Sequence, residues 1–441
     1  DDITLAVSDA SATVAGVVTA NAQTFGGAKT FSGSVVVAAS QSLTLTGGNT
    51  ASRPSSPTEG MVYFDTTTDS LLTYANGKWQ SDRGEFIVVA ASDSTQAEKD
   101  SADYVADGNT GAALDGDQVQ INLALTEAAG GKVILLAGTY VADATILVPN
   151  NTTLAGSGPG TVIELADLDA TDNLIENSDT TTGTGVVIRD LKLDGRNDLN
   201  TAGTQQGIYF NAMGDISASR NGGRIENIDI EDFMTDGLQL NSSDNNTINN
   251  VRFSLITGTR GVALWGASDN NIISNNTAAV GSGIAYYIRG DNNVITNNNA
   301  TSTADGYGIQ LQGTASNNTI TGNTTNGNGV GISLDNSTNY NVISGNTILD
   351  SDYNGIYIEV ASYNAVTGNT IANSGGSTSN GGISINGADF TSITDNIITD
   401  TSCTTTCYAI NIVSSSGDKN YLSNNRFTGS AANAASINDA G

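Results

Sequence analysis

The stretch NNTITGNTTNGNGVGISLDN, residues 317–336, carries almost no charge, bulk or helix former, yet isoleucine and asparagine recur in it with order. Sliding it along the chain finds the same phrase before and after it. Aligned on Asn-x-Ile-x-x-Asn, Asn246, Asn271, Asn293, Asn318, Asn341 and Asn364 share one position, with spacings of 25, 22, 25, 23 and 23 by subtraction. An apolar column runs beside them through Ile248, Ile273, Ile295, Ile320, Ile343, Val366, Ile393 and Leu422. A closing asparagine recurs as Asn276, Asn298, Asn323, Asn346, Asn369, Asn396 and Asn425. A repeat of this length without helix formers predicts a solenoid of short parallel strands, each coil about 4.8 Å above the last. In such a stack like residues meet, so the isoleucines fill the interior and the asparagine amides hydrogen-bond up the column. Asparagine also tolerates the left-handed backbone that tight corners need.

Each coil carries a second phrase, Gly-Ile-x-Leu: GIYFN, GLQLN, GVALW, GIAYY, GIQLQ, GISLD, GIYIE and GISIN. Strand alternation turns Ile332 and Leu334 inward and Ser333 and Asp335 outward. The outward positions form a strip: Tyr209 and Asn211, Gln239 and Asn241, Ala263 and Trp265, Ala285 and Tyr287, Gln310 and Gln312, Ser333 and Asp335, Tyr357 and Glu359, Ser384 and Asn386. Aromatics and amides with few charges suit a sugar-binding surface, a contact between protomers, or a plain solvent face. Asp335 and Glu359 fall in one register on successive coils, which places their carboxylates on the order of 5 Å apart. That arrangement fits a retaining pair of catalytic acids, a Ca2+ site, or two solvated acids.

The net charge of −29, from 16 basic and 45 acidic residues, argues against nucleic acid and anionic membranes, which need clustered Lys and Arg. A neutral sugar or a cation is the easier partner. No apolar run approaches the length of a membrane span, and Asp1 is compatible with a processed start. Cys403 and Cys407 have three residues between them in a chain without histidine, which favours a disulfide over two free thiols and over a zinc site. That pairing implies an oxidising, extracellular compartment.

Three regions differ in texture: a β-rich module over residues 1–84, a linker and helix over 85–131, and the solenoid over 132–441. The helix is read from DQVQINLALTEAAGG, with Asp117 as its cap and Gly130 and Gly131 as its stop. SRPSSPTEGMVYFDTTTDSLLTYANGKWQ and QTFGGAKTFSGSVVV resemble modules of phage tail fibres and fibrous bacterial surface proteins. The run from GGKVILLAGTY through NTTLAGSGPGTVI resembles the opening of the pectate-lyase-like right-handed parallel β-helix, and the coils after it are similar to carbohydrate-binding and sugar-hydrolase repeats. In that family a helix covers the first coil.

The resemblance also directs attention to Asp190, Asp194, Asp229, Glu231 and Asp232 as a catalytic or Ca2+-binding group, with Arg189, Arg196 or Arg260 as a base. The polygalacturonase branch uses a histidine that this chain lacks, and no lyase motif surrounds the arginines. The expectation is therefore an all-β solenoid of roughly 13 coils, near 60 Å long. Its function is read as a subunit of an extracellular filament or surface fibre, a homo-oligomer joined head to tail through the N-terminal module and the last coil. A glycan-binding adhesin or tailspike-like protein, or a polysaccharide lyase or hydrolase, is the alternative.

Overall fold

The computed structural model describes residues 45, 47–66, 70–75, 77–81, 86–108, 116–166, 173–200, 204–215, 217–302, 305–375, 381–400, 408–413, 419–429 and 437–439. The chain divides into two compact units, Asp1–Asp82 and Arg83–Gly441. In the first, strands Val62–Asp65, Ser70–Ala75 and Lys78–Ser81 form an antiparallel sheet. Trp79 meets the rings of Tyr63 and Tyr74 at 5.9 and 5.4 Å, and Arg53 Nε pairs with the buried Asp65 at 2.5 Å. The segment Ile3–Val37, read as edge-pairing strands, lies outside the described residues, as do Cys403 and Cys407.

The second unit is a parallel β-helix with three faces. Parallel pairing begins before the helix, where Phe86–Ala90 aligns with Lys132–Leu135. The first face runs from there to Tyr421–Ser423, the second from Gly138–Ala142 to Arg426–Gly429, and the third is a twelve-stranded sheet from Ile146–Val148 to Ile437–Asp439. In early coils one strand serves the first two faces, as in Val187–Asp194, Arg224–Glu231 and Thr247–Ile256. A residue with positive φ marks the corner: Asp190, Asn227, Asn250, Asn275, Asn297, Gly322, Gly345, Gly368, Asp395 and Asn424. Only residues that adopt the left-handed region cheaply recur there.

The stacked isoleucines are the core. Ile248, Ile273, Ile295, Ile320, Ile343, Val366 and Ile393 are in register and fully buried. Both asparagine ladders form as the repeat predicts. From Asn246 to Asn364, each main-chain N–H donates to Oδ1 of the asparagine in the next coil, at 2.8 Å in every case. From Asn276 to Asn425 the same bond recurs at 2.9 to 3.1 Å. The ladder amides thus satisfy buried corner groups that would otherwise lose their hydrogen bonds.

The helix Gln118–Glu127 packs Ile121, Ala124 and Leu125 into the same core as Val133 and Leu135. Asp117 does not cap it. Its own backbone is already helical, and its two carboxylate oxygens accept the main-chain N–H groups of Gly108 and Val141, both at 2.8 Å. The acid ties two loops to the helix start, where sequence alone favoured a cap.

The glycine of the Gly-Ile-x-Leu phrase has a steric cause. A Cβ on Gly237, Gly261, Gly308, Gly331, Gly355 or Gly382 would stand 2.5 to 3.0 Å from the carbonyl oxygen of the following coil. At these six coils the packing leaves little room for a Cβ.

Candidate functional site

The outer face of the third sheet carries two columns of side chains. Tyr209, Gln239, Ala263, Tyr287, Gln310, Ser333, Tyr357 and Ser384 form the first, in unbroken register. Asn211, Asn241 and Trp265 begin the second, and Asp335, Glu359 and Asn386 continue it further along. The sequence placed Ala285 and Tyr287 opposite Ala263 and Trp265, and the structure shifts that coil by two. Ile284 pairs with Arg260, Tyr286 with Val262 and Tyr287 with Ala263. Tyr286 turns inward and is fully buried, while Ala285 takes the place of the close-packing glycine. Only a methyl-sized side chain stands there, so the outward alanine of the sequence reading leaves the strip.

These columns face outward without being freely solvated. Ser333, Tyr287, Gln310 and Asp335 are 0, 2, 6 and 7 % exposed, because the longer side chains of adjacent coils lie across them. The strip is joined by hydrogen bonds along the solenoid. Gln206 Nε2 donates to Gln239 at 2.7 Å and Asn241 Nδ2 to Asn211 at 2.9 Å. Tyr287 donates its hydroxyl to Gln312 Oε1 at 2.6 Å, beneath Trp265, whose ring centroid is 5.0 Å away. Two coils on, Gln310 Nε2 and the Ser333 hydroxyl donate to the two oxygens of Asp335 at 2.6 and 2.5 Å. Tyr357 and Asn386 donate to one oxygen of Glu359 at 3.1 and 3.3 Å.

Asp335 and Glu359 are direct register partners, as the repeat predicts. Their environments differ. Burial pushes the Asp335 carboxyl above the ordinary aspartate value and the nearby Glu359 charge adds to this, while the bonds from Ser333 and Gln310 oppose it. Burial likewise raises the phenols of Tyr357 and Tyr307. Two carboxylates are fewer than the six to eight oxygens Ca2+ usually takes, and among the described residues no group of three or more His, Cys, Asp or Glu is placed to hold a metal.

The other acidic group is distributed differently. Lys192, Asp229 and Arg252 form one column of the second face, and Asp194 and Glu231 stand beside it. Lys192 Nζ lies 2.7 Å from Glu231 and 3.4 Å from Asp194, and Arg252 Nε lies 3.0 Å from Asp229. Opposite charges alternating across neighbouring strands are a sheet-pairing device. Asp190 and Asp232 are left-handed corner residues, with φ of 59° and 62°. Arg189 pairs with Asp190 at 3.6 Å and Arg196 with Glu164 at 3.0 Å. Arg260 is not with them at all, since it lies on the third sheet beside Asp236, Trp265 and Tyr287.

Two features escaped the sequence reading. Arg260 and Arg289 both stand over Trp265, with guanidinium carbons 4.8 and 5.2 Å from its ring centroid. At another corner, the residue before each asparagine of the first ladder has positive φ: Asn245, Asn270, Asn292 and Asn317, then Tyr340 and Tyr363, and Phe390 does the same before Thr391, which holds the ladder position in its coil. The three rings stack at 5.0 and 4.8 Å and are exposed, and Lys419 Nζ covers the last at 4.9 Å. Extending the asparagine alignment one residue toward the N-terminus displays that column.

A family model described as the periplasmic copper-binding protein NosD matches residues 169–341 and again residues 260–440, together more than half of the chain. The chain belongs to the NosD family. The match slides along the coils, as a repeat allows. The described residues do not offer a donor set suited to copper: the chain has no histidine, and no cluster of thiol, imidazole or carboxylate ligands appears among them. A comparison with curated protein sequences finds no match.

Among solved structures, the A-module of the Azotobacter vinelandii mannuronan C-5 epimerase AlgE6 aligns over 72 % of this chain and 96 % of its own, with 19 % identity and a TM-score of 0.57. The Dettilon tailspike protein gp208 aligns over 70 % and 66 %, with 16 % identity and a TM-score of 0.51. DFA-IIIase from Arthrobacter chlorophenolicus A6 aligns over 76 % and 93 %, with 13 % identity and a TM-score of 0.57. At these identities the likeness is one of fold, a right-handed parallel β-helix.

Proposed function

We propose that this protein is a polysaccharide-binding β-helix that works outside the cytoplasm, with the outer face of the third sheet as its contact surface. The observation that carries the reading is the strip itself: Tyr209, Gln239, Trp265 and Tyr357 stand on the outer face of one sheet, Gln312 lies just past its strand end, and the buried Tyr287 and Gln310 brace them from within. Rigid aromatic faces bordered by amides offer a sugar both stacking and hydroxyl partners. Names of proteins with this fold, an epimerase of mannuronan and a tailspike among them, agree with a surface for carbohydrate polymers. Replacing Trp265 and Tyr287 together with Ala should abolish retention on a polysaccharide panel with the circular dichroism of the fold unchanged. If the parent protein is retained on no polysaccharide, the reading fails.

A catalytic extension is favoured by one observation, the unequal environments of Asp335 and Glu359. A carboxyl whose pKa burial raises, one coil from a second carboxyl in a more open setting, is the kind of asymmetry a glycosidase acid and its partner use. In this extension Asp335 protonates the leaving oxygen and Glu359 attacks or stabilises the sugar carbon. The parent would then release reducing ends from a bound polymer, and Glu359→Gln would stop release while retaining binding. Binding without any released product leaves the surface as a receptor.

The filament reading rests on residues 1–84, whose motifs resemble those of fibre proteins. Removing residues 1–84 should leave a folded β-helix that no longer assembles by light scattering. Assembly unchanged by that deletion removes the head-to-tail arrangement.

A further inference from the structure

The outer strip of the third sheet, the groove of the proposed polysaccharide contact, is not uniform in charge. In a chain with 16 basic and 45 acidic residues, two arginines stand side by side in the middle of the strip. Arg260 lies over both rings, 4.8 Å from the centroid of Trp265 and 4.5 Å from that of Tyr287, and Arg289 approaches Trp265 at 5.2 Å. One carboxylate answers them, the buried Asp236, whose Oδ1 is 3.4 Å from Arg260 Nη1. Burial pushes the Asp236 carboxyl above the ordinary aspartate value, and the Arg260 charge opposes that shift.

Arg289 interacts with the Tyr287 hydroxyl, and part of the pair's hydrogen-bonding capacity is left over. Arg260 Nε is buried and has no hydrogen-bond partner, an uncommon state for a guanidinium N–H. Arg289 is exposed and makes no ion pair among the described residues. Its guanidinium sits over Gly313, where an added Cβ would come within 3.4 Å of Nε, and the φ of +77° there suits glycine. The sequence thus leaves room for the Arg289 head at the edge of the groove. Stacking on aromatic faces occupies the flat sides of a guanidinium and leaves its N–H edge free, the edge that matches a planar oxyanion.

We propose that the Arg260, Arg289, Trp265 and Tyr287 cluster is an anion subsite that takes the carboxylate or sulfate ester of a charged sugar, with the sugar ring against Trp265 and the buried Tyr287 supporting that indole from beneath. This rests on the groove being a polysaccharide surface and narrows its ligand from sugars in general to anionic ones. An aromatic strip alone stacks neutral and charged sugars equally. Two cations around one carboxylate do not.

Trp265 is itself the reporter, because the chain has two tryptophans and the other, Trp79, lies in the N-terminal unit. In a Trp79→Phe background, emission is followed during titration with polygalacturonate and its methyl ester, and with dextran sulfate and dextran, at low and high salt. The charged member of at least one pair should shift Trp265 emission and bind about tenfold or more tightly than its neutral counterpart, a preference that salt weakens. Arg289→Gln should bring the charged polymer down to the neutral one. Carboxylate and sulfate are separated by which pair responds. Equal affinity within both pairs, or a charge preference that survives in Arg289→Gln, overturns the anion subsite while the groove reading stands. Binding by none of the four polymers also overturns it, and retention on another neutral polysaccharide that Trp265 and Tyr287 control then decides the groove separately.

Discussion

Asn346 and Asn323 are joined twice: Oδ1 of Asn346 accepts the main-chain N–H of Asn323 at 2.9 Å and its Nδ2 at 3.0 Å. The Nδ2 of Asn346 meanwhile donates to Ile320 O and Asn369 Oδ1, so one amide serves three coils. Asn346→Ala should therefore lower stability by about 1–3 kcal/mol through the buried groups it leaves unpaired. Denaturant titration would read this directly, and an unchanged midpoint contradicts the scaffold role.

Ile343 lies in the same coil, fully buried between Ile320 and Val366. Ile343→Ala should cost more, about 2–5 kcal/mol, because close-packed coils above and below limit collapse of the cavity. A smaller loss than that of Asn346→Ala would mean that the coils can close on the gap.

Glycines of the two kinds should respond oppositely. An alanine Cβ at Gly331 would meet Gly355 O at 2.6 Å and Ile348 Cγ2 at 2.5 Å, so Gly331→Ala should destabilise by about 1–3 kcal/mol or more. Gly345 has φ of +62° with no atom near its missing Cβ, and Asn275 and Asn297 hold the same corner. Gly345→Asn should stay within about 0.5 kcal/mol of the parent by the same titration.

Stability should depend on pH through Asp335. Burial raises its folded pKa above the unfolded value, so between those two values the folded chain holds a proton that the unfolded chain has lost. Stability from this group is fully present below the ordinary aspartate pKa and falls as pH rises through the folded one. Asp335→Asn cannot titrate, so melting temperatures compared from pH 3 upward should move in favour of the variant across that window. Movement in favour of the parent would assign Asp335 a depressed pKa instead.

Tyr363→Asn sets two effects against each other. It removes two ring stacks, each worth about 0.5–1.5 kcal/mol, and it relieves a bulky residue of a left-handed backbone that costs about 1–2 kcal/mol. The net change should be under about 1 kcal/mol. A much larger loss would show the stack to be a structural seam.

How much of this was legible in the sequence follows from what repeats. The isoleucine column and both asparagine ladders could be read because each position meets its own copy one coil away, so spatial contacts appear as a sequence period. Asp335 and Glu359 were placed in register for the same reason. The coil containing Tyr286 and Tyr287 was misread because two adjacent tyrosines satisfy either face, and only the packing of Ala285 in the glycine column chooses between them. Asp117 was misread because a cap and a loop tether need the same residue at the same place. Burial of outward Ser333 and Gln310 depends on long side chains of neighbouring coils, and no single coil records that. The pairing of Arg260 with Arg289 was hidden too, since they occupy different positions in their coils and converge on one indole.

The ladders also bear on how such a protein could change over generations. The main-chain N–H of each asparagine from Asn271 to Asn341 bonds to the equivalent residue of the next coil, and this bond is the same from one coil to another. A gene segment encoding one coil could be duplicated or lost in frame, and the new neighbours would find the same amide waiting. The number of coils, and with it the length of polymer that the outer strip can span, is then open to selection independently of the chemistry within any one coil.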